Sequence, residues 1–314
     1  EGLYGNTRKD IKHETIKRRF MKDFEGKTAV VTGAASGIGK ALAKKFAEEK
    51  MQVVLADVEE EALENTVKEL RQYQHRVIGV QTDVLIEESM EELFSRAVKE
   101  YGNIHILCNN AGIGANSGNK AIWEIEKQDW DWVMGVNYQG VLSGLQKFLP
   151  HMIEHGEQGH VVTTVSMAGL LPGAGTYGVS KHAVMALTEA LGRDLLERNA
   201  NINTSVLCPG FVDTNIDKSE RNRPNSFGEA KETVNQAGAE FMSAMLRQGK
   251  KPDEIADIVF QAIKNNVFYI LSHPAWDDTL RAHFNNILSR KEIKRNFEDD
   301  FTKFFSPRED GEKY

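Results

Sequence analysis

Three polar side chains between residues 166 and 181 have the types and the spacing needed for proton transfer. Ser166 is followed by Tyr177, and Lys181 comes four residues later. If Tyr177 opens a helix, residues four apart lie on one face, so the ammonium of Lys181 can approach the phenol of Tyr177. A nearby positive charge favours the phenolate and lowers the pKa of a tyrosine from about 10. Such a phenol can protonate a carbonyl oxygen or accept a proton from an alcohol, while Ser166 donates a hydrogen bond to the same oxygen.

The same spacing also fits an amphipathic helix with an incidental tyrosine and a surface lysine, because Tyr-x-x-x-Lys is a common pattern. The surrounding elements decide between the two interpretations. Apolar runs predict strands at 28–32, 52–57, 76–81, 104–108, 160–165, 202–208 and 267–271. Helical patterns are found at 40–50, 59–73, 87–101, 128–153, 176–198, 252–265 and 276–289.

The alternation of strands and helices predicts parallel βαβ units with right-handed crossovers. The strands are continuous apolar runs, as expected when helices cover both faces of a sheet. Without internal repeats or a low-complexity linker, residues 25–290 are predicted to form one catalytic domain, with a lid at 213–251. Residues 1–24 form a polar N-terminal extension, alternatively a basic arm for a partner, and 291–314 a charged tail.

Composition limits the function classes. The 314 residues carry a net charge of −7, which argues against nucleic-acid binding. No apolar run reaches the roughly 18 residues of a membrane span, and no secretory signal is evident, so we expect a cytoplasmic protein. The two cysteines, Cys108 and Cys208, each end an apolar run. They are interpreted as buried strand residues, not as a disulfide or metal site.

A glycine-rich loop lies between the first strand and the first helix. The sequence Thr-Gly-Ala-Ala-Ser-Gly-Ile-Gly at 32–39 includes Gly33, Ser36, Gly37, Ile38 and Gly39. Glycines allow the backbone to turn tightly and to approach a diphosphate, and the following helix N-terminus offers free N–H groups to phosphate oxygens. An ordinary glycine-rich turn is the alternative, but the strand–helix context favours a dinucleotide site.

Acidic residues follow the second and third strands. Asp57 lies 18 residues after Gly39, near the spacing of about 20 expected for a carboxylate that binds the adenosine ribose. Such a carboxylate repels a 2′-phosphate, and the neighbouring Ala35 and Val58 are neutral, so NAD is predicted as the cofactor. A solvated Asp at a strand end is the alternative. Asp83 and Val84 could hold the adenine edge, although Asp83 would equally suit a turn or helix cap.

With these features in order, the chain resembles the short-chain dehydrogenase/reductase family of the single-domain type. The motifs that carry the resemblance lie between residues 26 and 271, and they are TGAASGIG at 32–39, Asp57, Asp83-Val84, NNAG at 109–112, Asn137, Ser166, YGVSK at 177–181 and PG at 209–210. The resemblance implies an α/β doubly wound Rossmann fold, with a seven-stranded parallel sheet and helices on both faces.

The resemblance also implies individual roles. Tyr177 would be the general acid and base, Lys181 would lower its pKa and bind the nicotinamide ribose, and Ser166 would polarise the substrate carbonyl. Asn137 would hold a water that links Lys181 to solvent, although an amide satisfied within its own helix is the alternative. Further cofactor contacts would come from Asn109, Asn110, Ala111, Gly112, Pro209, Gly210, Val212 and Thr214.

One spacing departs from the family pattern. Ser166 and Tyr177 are 11 residues apart, a couple fewer than is usual in the family, so a tight loop is expected at 170–176. Thr164 is a second candidate for the role of the serine.

The predicted function is NAD(H)-dependent interconversion of a secondary alcohol and a ketone, without a metal. A non-catalytic NAD-sensing or scaffold protein on the same fold is the first alternative, which the intact Ser–Tyr–Lys set disfavours. A nucleotide-sugar epimerase or dehydratase is the second. Such enzymes carry a larger C-terminal substrate domain, and only about forty residues follow the last predicted strand here.

The substrate is predicted to be lipophilic or aromatic. Apolar residues that would line the pocket, or would simply belong to the core, are Leu170, Leu171, Phe211, Met242, Met245 and Leu246. The sequence FYILSHP at 268–274 is similar to the ending of reductases that act on bulky aryl alcohols. A homo-oligomer, tetramer or dimer, is expected from the resemblance and from apolar residues on the helices at 138–153 and 182–196.

Overall fold

The computed structural model describes residues 20–73, 75–114, 120–230 and 236–292. Within these residues the strands are β1 (Thr28–Thr32), β2 (Gln52–Asp57), β3 (Val77–Gln81), β4 (Ile106–Asn109), β5 (Gly159–Thr164), β6 (Ile202–Cys208) and β7 (Tyr269–Leu271). The helices are α1 (Gly37–Glu48), α2 (Glu60–Leu70), α3 (Glu87–Tyr101), α4 (Lys127–Met134), α5 (Gly140–Glu154), α6 (Gly175–Glu197), α7 (Gln236–Gln248), α8 (Pro252–Asn265) and α9 (Asp277–Leu288).

The strands form one parallel sheet in the order β3-β2-β1-β4-β5-β6-β7. The chain builds outward from β1 to β3, then returns to the other side of β1 with β4, where residues 29–31 pair with 106–108. The strand order therefore reverses between β1 and β4, and ligands of open α/β sheets bind outside the carboxyl ends of the strands at such a point. The predicted doubly wound fold with a seven-stranded sheet is confirmed.

Alternate residues of each strand enter two cores, one on each side of the sheet. Val31 and Leu55 face the core formed with α1, α2 and α8. Val30 and Val54 face the core formed with α3, α5 and α6. Because both faces are buried, the strands need apolar residues at successive positions, which explains their uninterrupted apolar runs.

The region predicted as one helix at 128–153 contains a break. A π-helical turn, Gly135–Gln139, separates α4 from α5. At its two ends the chain approaches its neighbours closely, since a Cβ on Gly135 would lie 2.6 Å from Cδ2 of Leu85, and one on Gly140 2.8 Å from Cγ2 of Val84. A π turn inserts one extra residue into a helix and often occurs at functional sites. Asn137 lies in its middle.

The first described residues contact the core. Residues 20–24 fall within the predicted polar extension, yet Met21 and Phe24 are buried beside α1 and α8. The rings of Phe24 and Phe260 are 4.7 Å apart. Residues 1–19 of the predicted extension lie outside the described residues, as does most of the predicted C-terminal tail, from 293 to 314.

Candidate active site

The glycine loop has no room for additional side chains. A Cβ on Gly39 would lie 2.0 Å from the carbonyl oxygen of Gly33, and a Cβ on Gly33 would lie 2.8 Å from Cα of Ala111. Gly33 also has a φ of +66°, which glycine adopts without strain. Ser36 precedes α1, and the first turn of this helix, Gly-Ile-Gly-Lys, carries no acidic side chain. This backbone surface suits a diphosphate at the helix N-terminus.

Hydrogen bonds fix the glycine loop to the ends of β4 and β5. The hydroxyl of Thr32 accepts from the backbone N–H groups of Asn110 and Ala111, each at 3.0 Å. The Asn110 amide donates to the carbonyl oxygens of Thr32 at 3.0 Å and Gly33 at 3.3 Å. Its Oδ1 accepts from the Thr164 hydroxyl at 3.0 Å. Asn110 and Thr164 thus hold the loop in place.

Asp57 lies at the carboxyl end of β2, beside the glycine loop. Its Oδ2 accepts from the backbone N–H of Ala35 at 2.9 Å, and its Oδ1 from that of Glu59 at 3.1 Å. Burial raises the pKa of Asp57, and these hydrogen bonds partly offset the effect. The structure therefore places the carboxylate at the edge of the switch point where an adenosine ribose would lie.

Asp83 and Val84 come shortly after the end of β3. The carboxylate of Asp83 accepts from the backbone N–H of Leu85 at 2.9 Å. The backbone N–H of Asp83 donates to the Ser89 hydroxyl at 3.0 Å. Asp83 therefore has the turn role that was the alternative to a contact with adenine. Val84 packs against Gly140 at the start of α5.

Ser166, Tyr177 and Lys181 converge beyond the carboxyl end of β5. The hydroxyl of Ser166 donates to the carbonyl oxygen of Pro209 at 3.4 Å and lies near the Tyr177 phenol, whose pKa it acts to lower. The Lys181 ammonium donates to the carbonyl oxygen of Thr164 at 3.0 Å and lies 5.7 Å from the centre of the Tyr177 ring. Ser166, unlike Thr164, therefore faces the phenol.

The pKa values differ from the sequence-based expectation. Although part of the Tyr177 side chain is exposed, burial around the phenol raises its pKa, and the hydrogen bond with Ser166 only partly opposes this effect. Burial also lowers the pKa of Lys181, to about 8. The expectation of a lowered tyrosine pKa did not include the desolvation of the phenol and of its neighbouring ammonium.

Asn137 joins α6 to the loop after β4. Its Oδ1 accepts from the backbone N–H of Ile113 at 2.8 Å, and its amide donates to the Ile113 carbonyl oxygen at 3.1 Å and the Ser180 hydroxyl at 3.0 Å. A Cβ on Gly112 would lie 3.1 Å from Nζ of Lys181 and 3.2 Å from Oδ1 of Asn137. Asn137, Gly112 and Lys181 therefore meet, and both amide hydrogens of Asn137 are used within the protein.

The segment after β6 passes over the site. The carbonyl oxygen of Pro209 accepts from the backbone N–H of Met167 at 2.9 Å. Val212 pairs with Lys250 in an isolated bridge, and the methyl group of Thr214 lies 3.0 Å from the position of a Cβ on Gly37. The predicted nicotinamide segment, residues 209–214, thus runs from Ser166 to the glycine loop.

The segment predicted as a lid, residues 213–251, begins with contacts across the switch point. The hydroxyl of Ser219 accepts from the backbone N–H of Gly114 at 2.9 Å. Arg221 forms an ion pair with Glu59 at 2.5 Å, and Asn222 donates to the same carboxylate oxygen at 2.9 Å. These contacts link the lid to the residues that follow β4 and β2.

The lid is anchored farther along by a buried ion pair. The guanidinium of Arg223 lies 2.7 Å from the Asp129 carboxylate and 4.8 Å from the centre of the Trp132 ring. It also donates to the carbonyl oxygen of Phe227 at 2.7 Å. No local sequence pattern marks the distant partners of four further residues that hold the site, which are Ser180, Glu59, Arg221 and Arg223.

The residues proposed for the substrate pocket divide into three groups by burial. Leu170 and Phe211 are partly buried against the core. Leu171, Met245 and Leu246 are buried, which agrees with the core alternative. Met242 is 43% exposed and its neighbour Phe241 is 55% exposed, so this face of α7 presents apolar groups to solvent.

The described residues hold neither a cluster of metal-binding side chains nor a helix that could span a membrane. No group of three or more His, Cys, Asp or Glu side chains in that part of the chain is arranged to hold a metal ion. Across the same ranges, no helix is both long and apolar enough to cross a membrane. Cys108 and Cys208 are buried free thiols, as predicted.

The fold and the site together define an oxidoreductase of the Rossmann type. The family model described as short chain dehydrogenase matches residues 27–225. A crystal structure of a short-chain dehydrogenase/reductase from Burkholderia phymatum in complex with NAD is similar, with 42% identity, a TM-score of 0.84 and coverage of 88% of this chain and 100% of that chain. The chain belongs to the short-chain dehydrogenase/reductase family.

Two curated relatives extend over most of the chain. A CLA biosynthesis dehydrogenase/reductase from Lactiplantibacillus plantarum is 33% identical over 276 residues, covering 86% of this chain and 96% of the relative. A C alpha-dehydrogenase from Sphingobium sp. strain SYK-6 is 32% identical over 273 residues, covering 85% of this chain and 87% of the relative.

Proposed function

We propose that the protein is an NAD(H)-dependent oxidoreductase that interconverts a secondary alcohol and a ketone. The observation that carries the proposal is the convergence of Ser166, Tyr177 and Lys181 beside the glycine loop at the switch point of the sheet. The nicotinamide cofactor supplies or accepts the hydride, and the protein provides binding, orientation and proton transfer.

The residues of the site fit such a cofactor. Gly33, Gly37 and Gly39 and the N-terminus of α1 would hold the diphosphate, and Asp57 the adenosine ribose. The adenine would lie near Asp83 and Val84. Lys181 would donate to the nicotinamide ribose hydroxyls, from the position it occupies next to Gly112. Further contacts would come from Ser36, Ile38, Asn110, Ala111, Gly112, Pro209, Gly210, Val212 and Thr214.

Tyr177 is the residue proposed to transfer the proton. Tyr177 would give its phenolic proton to the substrate oxygen during reduction and accept it during oxidation. Ser166, which lies near the phenol, would donate to the same substrate oxygen. Asn137 would keep Lys181 and the loop after β4 in register through Ile113 and Ser180.

The substrate is proposed to be a lipophilic or aromatic secondary alcohol or its ketone. The exposed apolar face of α7 supports this choice. A screen of alcohols and ketones coupled to NADH absorbance tests the function. Turnover of a bulky apolar substrate is expected, whereas NADH binding without turnover of any candidate would favour the NAD-sensing alternative.

The first prediction concerns cofactor choice. The native protein should use NAD(H) at least ~10-fold better than NADP(H) in kcat/KM, because repulsion and desolvation of a 2′-phosphate at Asp57 cost at least ~1.4 kcal/mol. Asp57→Asn should lower the ratio of kcat/KM with NAD(H) to kcat/KM with NADP(H). Glu60→Gln removes a charge at an exposed site three residues away and should leave it unchanged. Equal or better use of NADP(H) by the native protein contradicts the prediction.

The second prediction is a homo-oligomer, a tetramer or a dimer. Ile153 on α5 and Val179 and Leu196 on α6 are each 44–48% exposed, and contact with a second copy would bury them. Light scattering at micromolar concentration should show more than one chain per particle. A monomer under these conditions contradicts the prediction, and Leu196→Lys should weaken any assembly that buries Leu196.

A further inference from the structure

His273 lies behind the backbone that follows β6. Its Nδ1 accepts from the backbone N–H of Gly210 at 3.0 Å, and its Nε2 lies 2.9 Å from the carbonyl oxygen of Phe211. Two successive residues of the predicted nicotinamide segment are therefore held by one imidazole. The histidine follows β7, 63 residues away in the sequence.

The hydrogen bonds define the state of the ring. Because Gly210 presents an N–H donor, Nδ1 must be the unprotonated acceptor, and Nε2 must carry the proton that is donated to Phe211. The Ser272 hydroxyl, 2.9 Å away, also faces Nδ1. Burial lowers the pKa of His273 to about 4, so the neutral ring persists at physiological pH. Protonation of Nδ1 would place its N–H donor opposite the backbone N–H donor of Gly210.

Side-chain packing and a second hydrogen bond also restrict the backbone of Gly210 and Phe211. A Cβ on Gly210 would lie 2.9 Å from Nε1 of Trp276 and 3.0 Å from Cγ of His273. The carbonyl oxygen of Phe211 accepts a second hydrogen bond, from the backbone N–H of Lys250 at 3.0 Å. Neither peptide group can shift without losing a partner or meeting a ring.

The same stretch of backbone also contacts the candidate catalytic residues through Pro209. The carbonyl oxygen of Pro209 accepts from the Ser166 hydroxyl at 3.4 Å, and that hydroxyl lies near the Tyr177 phenol. A displacement of residues 209–211 would therefore move Ser166 and the surface available to the nicotinamide ring together. We propose that His273 is a positioning residue, which fixes the backbone of Gly210 and Phe211 so that the nicotinamide ring and Ser166 keep their reactive geometry. This role rests on the proposed function.

The variant His273→Phe tests the role, because it keeps an aromatic ring and removes both hydrogen bonds. A matched control exists at the amino ends of the central strands, just before β4. His155 also bridges two backbone groups, with Nδ1 accepting from Glu157 at 3.1 Å and Nε2 at 2.9 Å from the Ile104 carbonyl oxygen. His155→Phe removes the same kinds of bonds away from the candidate site.

Binding and turnover are measured for both variants. His273→Phe should lower kcat at least ~10-fold, since small misplacements of reacting groups cost up to ~10²-fold. It should also weaken NADH binding relative to ADP-ribose, which lacks the nicotinamide. His155→Phe should change neither kcat nor the ratio of the two dissociation constants, whatever its effect on Tm. His273→Gln, which can still reach the Phe211 oxygen, should recover part of kcat.

Three outcomes are distinguishable. If His273→Phe lowers Tm to the extent that His155→Phe does, and keeps native kcat and the native NADH to ADP-ribose ratio, the residue is merely structural and the proposal is wrong. If both histidine variants lose kcat equally, the effect is general destabilisation and the proposal is also wrong. If the native protein binds neither ligand, the proposed function itself fails, and the role of His273 fails with it.

Discussion

Arg223→Met should lower the free energy of unfolding by about 3–5 kcal/mol, the range for breaking a buried ion pair from one side. The Arg223 side chain is 1% exposed and that of Asp129 is 10% exposed. The substitution keeps much of the apolar stem but removes the charge next to Asp129, the hydrogen bonds to Phe227 and the contact with the Trp132 ring. The lid then loses its main connection to α4.

Urea denaturation followed by tryptophan fluorescence measures the effect. The double variant Arg223→Met with Asp129→Leu should be less destabilised than the sum of the two single variants, because it removes both buried charges together. Arg193→Met breaks an exposed ion pair with Glu197 on α6 and should cause no comparable change. Strict additivity of the Arg223 and Asp129 substitutions would mean that the two residues do not act as a pair.

The parts of the site that sequence predicted correctly are those encoded locally. The glycine loop could be placed because a strand, three glycines and a helix follow one another within residues 28–48. The register of Tyr177 and Lys181 on α6 follows from helical periodicity. Hydrophobic runs predicted all seven strands of the sheet, with boundaries that differ by one or two residues at several ends.

The missed features depend on contacts between distant segments. Asn137 was placed on a continuous helix, whereas it lies in a π turn that packs against Leu85 and Val84. Arg221 meets Glu59 across 162 positions, and Arg223 meets Asp129 across 94. A charged residue in a polar segment carries no local sign of its partner, so the lid contacts required three-dimensional structure. The raised pKa of Tyr177 was missed for the same reason, because burial is not visible in spacing.

Lys181 should influence both chemistry and cofactor affinity. Lys181→Ala is expected to reduce kcat and to weaken NADH binding, because it removes the ribose contact and the charge 5.7 Å from the Tyr177 ring. Lys181→Arg keeps a charge but replaces a compact ammonium in a fully enclosed space beside Gly112, so it should recover only part of the activity. Normal NADH affinity in Lys181→Ala would contradict the ribose contact.

The pH dependence follows from the state of the tyrosine that each direction needs. Alcohol oxidation requires the phenolate, so its rate should rise with pH towards the raised pKa of Tyr177, while ketone reduction requires the phenol and should fall. The two groups titrate as a coupled pair, because a phenolate at Tyr177 favours the ammonium form of Lys181 and raises its pKa from about 8. In Lys181→Ala the phenolate lacks this ammonium, so the inflection should move to higher pH. Profiles of kcat against pH for the native and variant proteins measure this shift. An inflection that stays in place would separate the lysine from the proton transfer.

Tyr177→Phe should reduce kcat by at least the ~10²-fold typical of a lost general acid or base, with NADH binding nearly unchanged. The substitution removes the phenol oxygen that meets Ser166 and keeps the ring packed on α6. Tyr269→Phe is the matched control, since it removes a phenol that donates to Glu189 at 2.8 Å on an exposed part of β7 and should leave kcat at the native value. Because Tyr177 is the one proton carrier assigned to the substrate oxygen, native turnover in Tyr177→Phe would overturn the proposed mechanism, and the NAD-sensing alternative would then explain the site better.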